Sequence, residues 1–567
     1  MPLIDARSDS PRIVFAPGKK RNPPRFPLAK GAKRRPTRPA LPKKTGGDSA
    51  PAPFPKGGSI LKIALFATGC AGIVAEFVLS TLATYLLGNA IVQWTLVMSL
   101  MLFAMGLGSR ISRWVRTDLV DAFIVIEIAL SLLCAGSALT AYGLAGHTEY
   151  VGALIYLHAT AIGVLIGFEI PLVTRINESY EELRVNISAV MEKDYYGALL
   201  GGLIFAFVAL PRFGLTYTPV FLGGVNFLVA ALVLWRFFPL VRRRRTLVSA
   251  FALSAAALVA MGAFSRPVIV YGEQRKYRDQ VVYARRTPYQ KIVMTRWRED
   301  YWLYLNGQQQ FSTVDEEKYH EPLVHPVMGI PPTVRRVLVV GGGDGLAARE
   351  VLKYPNVEAI VLVDMDPAMT RLAREHPVLL SINRGALNDP RVRVVNRDAA
   401  HFVEETDERF DAIVIDLPDP DSVDIMHVYS RGFYRLLHRR LARGGALVAQ
   451  AASPFFARRA FLCVLKTIRA SGFSALPFHN SIPTMGQWGW VVGIREEDGD
   501  EETLRRRLLS MDFGNVETRF VDRDAMISML HFGKGVIDEA ELSGIVVNTE
   551  LEPVLFRYYL SGNWSVY

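Results

Sequence analysis

The chain has 567 residues, half of them hydrophobic, with a mean hydropathy of +0.20 and a formal net charge of +11. That length exceeds one ordinary domain, and that hydropathy is high for a protein surrounded only by water. Three isolated cysteines, Cys70, Cys134 and Cys463, with no CxxC pair, exclude a disulfide scaffold and a thiolate metal site.

The excess charge is local. Residues 1–58 carry 14 Lys or Arg against 3 Asp or Glu, a net of +11, so the rest of the chain is balanced. Segments such as KKRNPPR and KGAKRRPTRPALPKK hold too few large apolar side chains to offset the entropy of ordering, which predicts a disordered basic tail. A basic segment ahead of an apolar helix marks the cytoplasmic side and touches anionic lipid, so membrane lipid is the expected partner and nucleic acid is not.

Apolar stretches follow near 60–87, 91–108, 119–145, 151–173, 195–211, 216–238 and 246–264. Most reach the ~20 residues that cross a bilayer as a helix, predicting a transmembrane domain of about seven helices over 59–265, in the cell (inner) membrane. The Lys/Arg rule places the tail, Arg110, Arg113 and Arg116, then Arg175, Arg184 and Lys193, and Arg242 to Arg245 inside. Seven full spans would leave the remainder outside, away from a cytosolic metabolite. Leu247–Phe264, short and flanked by arginines, is therefore read as less than a full span, with the catalytic domain cytoplasmic. Glu76, Glu127 and Glu169 lie inside the apolar runs, where a charge is costly. They are expected either to line an amine-accessible cavity or to lock helices together.

Short β-rich pieces (VIVYG, QVVYAR, KIVMTRW, YWLYLNG) predict a small antiparallel sheet within 266–330. Over 331–498, strands alternate with helices, the pattern of an α/β doubly wound, Rossmann-like sheet. Residues 499–567 suggest no chemistry. In the stretch RVLVVGGGDGLAAREVLKYPNVEAIVLVDMD an apolar run ends in glycines, a helix follows, and a second run ends in Asp364. Gly341 and Gly343 let a ligand approach the main chain, and a carboxylate ~20 residues on is where a nucleoside site holds ribose. Asp344, Asp364, Asp398 and Asp416 each follow a strand, so the C-terminal edge of the sheet should form an anionic cleft.

The motifs TPYQKI, LNGQQQF, DEEKYHEPLVHP, VVGGGDG, VDMD, RDAAHF and DLPDP, in this order over about residues 285–495, resemble the spermidine synthases, the polyamine aminopropyltransferases. The apolar front half is similar to the membrane-bound bacterial members. The resemblance implies a methyltransferase-type fold and transfer of aminopropyl from decarboxylated S-adenosylmethionine, as co-substrate, to putrescine or a related amine. It implies no further cofactor, no metal, and a homo-oligomer. Asp416 would be the base with Tyr319 as helper. Gln290, Gly341, Gly343, Asp364, Asp398 and Ala399 would bind the donor and its methylthioadenosine part, and Asp344, His320 and Asp419 the aminopropyl and polyamine groups. Two departures stand out: DLPDPDSVDIMHVY replaces the shorter DSSDP or DCTDP continuation, and Ile482-Pro483-Thr484-Met485 replaces IPTY, so the acceptor pocket differs. The alternatives are a membrane-anchored S-adenosylmethionine-dependent methyltransferase, which Asp344 disfavours by repelling the donor's α-carboxylate, and a polyamine transporter or sensor with a regulatory nucleotide domain.

Overall fold

The computed structural model describes residues 57–564 apart from 88–89, 146, 149 and 179–182. The basic tail expected over 1–58 lies outside the described residues as far as residue 56. The helical half comprises α1 (Gly57–Leu87), α2 (Ala90–Ser112), α3 (Leu119–Ala145), α4 (Val151–Asn177), α5 (Leu183–Ile204), α6 (Leu210–Phe237) and α7 (Arg244–Arg275). Among the described residues six stretches are long and apolar enough to cross a membrane, and the fifth, Arg184–Leu240, spans 57 residues. That stretch is folded back on itself. At Gly214 the backbone turns to φ 59°, and the Thr218 hydroxyl donates to the Ala209 carbonyl at 3.2 Å. In a straight helix nine residues would separate those groups by about 13 Å.

Glycines set the helix pairs. A Cβ at Gly197 or Gly201 in α5 would collide with the α1 backbone at 2.1 and 2.5 Å, and one at Gly108 in α2 with Val164 of α4 at 2.0 Å. Such close approach lets apolar helices gain packing where no hydrophobic force drives them together. The contacts also give direction. Gly72 and Leu87 of α1 meet Ile166 and Gly152 of α4, so α1 and α4 run oppositely; α2 runs with α4, since Gly163 and Gly167 meet Met101 and Met105. Antiparallel to α3 lies α6, through Gly223 on Ser131 and the Arg242 amide on Asp121, and α7 runs with α3, through Met261 on Gly136 and Gly272 on Tyr142. The seven passes therefore alternate.

Leu247–Phe264 sits inside the 32-residue α7, not in a shortened segment, and the VIVYG piece expected as a strand is the last part of that helix. Arg266 and Pro267 suggested an end, yet the helix runs through both. Glu127 is fully buried with neither carboxylate oxygen partnered, Glu169 lies beside it, and Glu76 is also buried. A cavity of about 290 Å³ between α1, α3 and α4 is lined by apolar residues with Ser137, Thr140 and His158, and by none of these glutamates.

The second half starts with a four-stranded antiparallel sheet in sequential order, β1 (Gln280–Arg286), β2 (Lys291–Trp297), β3 (Asp300–Leu305) and β4 (Gln308–Ser312), followed by α8 (Glu317–Met328). A seven-stranded sheet then forms from β5 (Arg336–Gly341), β6 (Ala359–Val363), β7 (Val392–Val395), β8 (Phe410–Asp416), β9 (Leu441–Gln450), β10 (Phe473–Ile482) and β11 (Gly486–Arg495). Its order is β10-β11-β9-β8-β5-β6-β7, with β11 alone running against the other six, the doubly wound arrangement expected. The helices α9 (Leu346–Leu352), α10 (Pro367–Glu375), α11 (Pro377–Asn383), α12 (Ala399–Glu405), α13 (Arg431–Arg440) and α14 (Arg458–Arg469) join the strands. The strands read as continuous Val, Ile and Leu because both faces are covered, and Val337 to Val340 and Ile413 to Ile415 are fully buried. Four short helices, α15 (Glu501–Leu509), α16 (Arg523–Met529), α17 (Glu539–Gly544) and α18 (Leu555–Leu560), end the described chain.

Candidate active site

Strand order reverses between β5 and β8, and there the C-terminal ends diverge to leave a crevice. Gly341 and Asp416 are paired across that point. A Cβ on Gly341 would sit 2.0 Å from the Asp416 carbonyl, and its φ of +79° suits glycine alone. At Gly343 a Cβ would lie 2.4 Å from the Asp364 carboxylate. The glycine turn thus exists so that two carboxylate-bearing strand ends can close on it.

The crevice is a cavity of about 270 Å³ lined by Gln290, Tyr319, His320, Gly341, Gly343, Asp344, Asp364, Asp398, Ala399 and Asp416. Every expected site residue but Asp419 lines it. At its centre, ligand atoms of His320, Asp344 and Asp416 lie within 4.8 Å of one another. The Tyr319 hydroxyl donates to Asp416 Oδ1 at 3.0 Å, and its ring meets Trp490 edge-on at 5.6 Å. Burial, helped by the Asp344 charge, pushes the Asp416 carboxyl up to about 6, with His320 and Tyr319 opposing. Asp344 is raised chiefly by burial, and its Oδ1 accepts the Leu346 amide at 2.8 Å, which stops α9 from offering that N–H to a ligand.

His320 is fixed by α8. Its Nδ1 lies 3.1 Å from Glu316 Oε2, and Arg349 grips both Glu316 oxygens at 2.8 Å. Burial alone would lower the His320 pKa, but Glu316 and then the two aspartates outweigh it and raise it to about 9. Burial likewise works to raise Glu316, and the bonds from His320 and Arg349 bring it down to about 2. His320 is thus favoured in its protonated form, within 4.8 Å of the Asp344 and Asp416 carboxylates. The other trio with metal-ligand spacing, Glu321, His325 and Glu350, is already satisfied: Glu321 accepts three amides from Arg519 to Val521, and Glu350 is held by His325, Arg349 and Lys353.

On the other side of the glycine turn, burial raises Asp364 to about 7, and its Oδ1 takes the Asp366 amide at 2.8 Å. Gln290 does not reach across the cavity by itself; its Nε2 is held by Asp366 at 3.0 Å, and Thr287 bonds the same oxygen. Asp398 caps α12 through the His401 amide and accepts from His427 Nε2 at 2.8 Å. Its neighbour Ala399 is buried on the same wall.

Asp419 does not line the cavity, although it lies close enough to Tyr319 for its charge to act on that hydroxyl. Its Oδ2 accepts from the Tyr559 hydroxyl at 2.8 Å, behind the wall, while Asp421 and Asp424 line the cavity instead. The 482–485 segment also lies off the cavity, with Thr484 bonded to Asp315 and Met485 buried in the core. Residue patterns had overlooked Glu316, Arg349, Asp366, His427, Asp421 and Asp424. Glu316 was detectable, one helical turn before His320, and the last two sit in the inserted DSVD. Tyr559 carried no such signal.

The Spermine/spermidine synthase domain family matches residues 316–505. The chain is 41% identical to polyamine aminopropyltransferase 2 of Aquifex aeolicus over 504 residues, covering 88% of this chain and 98% of that protein. It is 39% identical to polyamine aminopropyltransferase 1 of Ralstonia nicotianae, covering 86% and 92%. Among solved structures, the spermidine synthase from Thermotoga maritima is 26% identical, with a TM-score of 0.40 over 47% of this chain and 88% of that one. The chain therefore belongs to the spermidine synthase family and is a polyamine aminopropyltransferase, an enzyme that transfers an aminopropyl group.

Proposed function

We propose that the donor is decarboxylated S-adenosylmethionine and the acceptor a small diamine, with putrescine giving spermidine and methylthioadenosine. The observation that carries this is the pairing of two buried carboxylates, Asp344 and Asp416, around the one protonated His320, an anionic pocket suited to ammonium groups. The acceptor nitrogen attacks the methylene beside the sulfonium; the C–S bond breaks, sulfur keeps the electron pair as a neutral thioether, and the nitrogen sheds a proton. Asp416 takes that proton, with Tyr319 orienting its carboxylate. Asp344 pairs with the donor's own amine, and the same charge disfavours ordinary S-adenosylmethionine and hence methyl transfer. The donor's ribose lies at Asp364, its adenine at Asp398 and Ala399, and its thioether part near Gln290, Gly341 and Gly343. The protein forms no covalent bond: it aligns two cations and excludes water. Purified full-length enzyme, given each donor with a panel of amines, should form methylthioadenosine only with the decarboxylated donor and an amine present; release independent of the amine would overturn the reading.

The helical half is read as embedded in a membrane. Its outside is apolar, with Phe103, Phe207, Trp235, Leu253 and Val259 more than two-thirds exposed, and lipid would cover them. Because the seven passes alternate, the face where α1 begins and the face carrying the catalytic domain are opposite. The links 113–118 and 238–243, with Arg113, Arg116, Arg242 and Arg243, share the first face; on the second, the turn at Gly214 carries Arg212 and the end of α7 carries Arg275. The Lys/Arg rule then supports a cytoplasmic first face and an outer catalytic domain. This replaces the cytoplasmic placement expected above, which depended on α7 being too short to span.

A further inference from the structure

The active-site cavity does not end at Asp416. Asn306, Asp421, Ser422 and Asp424 line it and also line a second cavity, of about 660 Å³, where the catalytic domain meets the ends of α1, α2 and α7. Charge is divided along this second cavity. At the active-site end stand Asp421 and Asp424; at the far end the ring of Tyr85 is surrounded by Lys276, Arg286 and Lys291 at 4.7, 5.0 and 4.6 Å. Glu273 answers that trio, with the Lys291 amine 2.7 Å away and the Tyr85 hydroxyl at 2.9 Å. An elongated cation anchored by its reacting nitrogen at Asp416 therefore meets first an acidic mouth and then a basic barrier.

We propose that Asp421 and Asp424, in place of Asp419, bind the remote ammonium of the acceptor amine, and that Lys276, Arg286 and Lys291 limit how long that acceptor can be. The proposal rests on the aminopropyl-transfer reading above. Asp421 Oδ2 is held by Gln308 Nε2 at 3.0 Å, which orients the carboxylate and leaves Oδ1 for a ligand. Burial raises the Asp421 carboxyl to about 6, so it stays mostly ionised at neutral pH and an incoming cation would favour that form further. Asp419 has its Oδ2 held by Tyr559 and, unlike Asp421, does not line the cavity. A diamine places its second charge at the acidic mouth, whereas a tetraamine carries further charges against the three cations.

The test uses the full chain in detergent, with 1,4-diaminobutane, 1-aminobutane and a tetraamine as acceptors. A charge-assisted hydrogen bond is worth about 1.5–3 kcal/mol, so Asp421→Asn with Asp424→Asn should raise KM for the diamine by about ten- to a hundredfold. Under the proposal kcat, donor KM and the already weak use of 1-aminobutane stay within about twofold, and Asp421→Glu restores the diamine KM. Lys276→Gln with Arg286→Gln should raise kcat/KM for the tetraamine relative to the diamine. An unchanged diamine KM in the double Asn variant, or an equal rise for 1-aminobutane, overturns the proposal. Wild-type enzyme that makes no aminopropyl product overturns the reading beneath it, which the variants by themselves do not.

Discussion

Replacing Asp416 by Asn keeps the size of the side chain and its bond to Tyr319 while removing the base. General-base assistance is worth about 10²–10⁴ in rate, so turnover at neutral pH should fall by at least about a hundredfold with donor affinity preserved. The pH profile is the sharper readout. With its carboxyl held near 6 by burial and by Asp344, Asp416 is about nine-tenths ionised at pH 7 and about one-tenth at pH 5. The ionised form is the active one, so wild-type kcat should be full above this pKa and fall about tenfold per unit as the pH drops below it. In the Asn variant that limb should vanish, while raising the pH toward the amine's own pKa near 10 supplies neutral nucleophile and partly restores turnover. Methylthioadenosine release, followed chromatographically from about pH 5 to 9, measures both. An Asn variant that retains the acid limb, or turns over at near wild-type rate at pH 7, would refute Asp416 as the base.

A methyl group at Gly343 would lie 2.4 Å from the Asp364 carboxylate, so Gly343→Ala should raise donor KM by about tenfold or more with a much smaller change in acceptor KM, as steady-state kinetics will show. Arg349→Met leaves Glu316 as a buried, half-paired charge and should cost about 3–5 kcal/mol in denaturant unfolding. Glu316 sits at about 2 in the folded chain against 4.5 ordinarily, so its stabilising contribution is present above 4.5 and is lost as the pH falls toward 2; the Met variant should show a flatter acid-unfolding curve. Reporters fused after the last described helix and within the 113–118 link should respond on opposite sides of the membrane, and the same side for both would refute the alternating seven-pass arrangement.

Much of the catalytic half was legible because its central strands are buried on both faces and so appear as apolar runs, those of β5, β6, β7 and β8 each leading to a carboxylate that lines the crevice. The reversal at Gly214 was legible as the gap between two apolar stretches. By contrast, α5 begins twelve residues before its apolar run, because Glu192, Lys193 and Asp194 interrupt the pattern while the backbone of Asp194 packs on Gly69 of α1. For α7 the flanking arginines outweighed the length of the helix in the reading, although arginine ends are what a spanning helix carries. The bond from Tyr559 to Asp419 was not legible, since the partner lies 140 residues later and local sequence cannot show it.

The Tyr559 bond has a consequence for how the enzyme matures. Asn548 bonds the carbonyls of Met426 and Tyr429, Glu550 accepts from Ser430, and Tyr559 holds Asp419, so the wall beside Asp416 is buttressed by late-synthesised residues. The central strands can pair as they leave the ribosome, yet contacts of such large sequence separation pay their loop-closure entropy before any reward. The turn from Gly341 to Asp364 makes none of these long-range contacts, whereas the wall that carries Asp419 depends on them. Formation of that wall therefore waits on the docking of α18, whereas the turn from Gly341 to Asp364 does not.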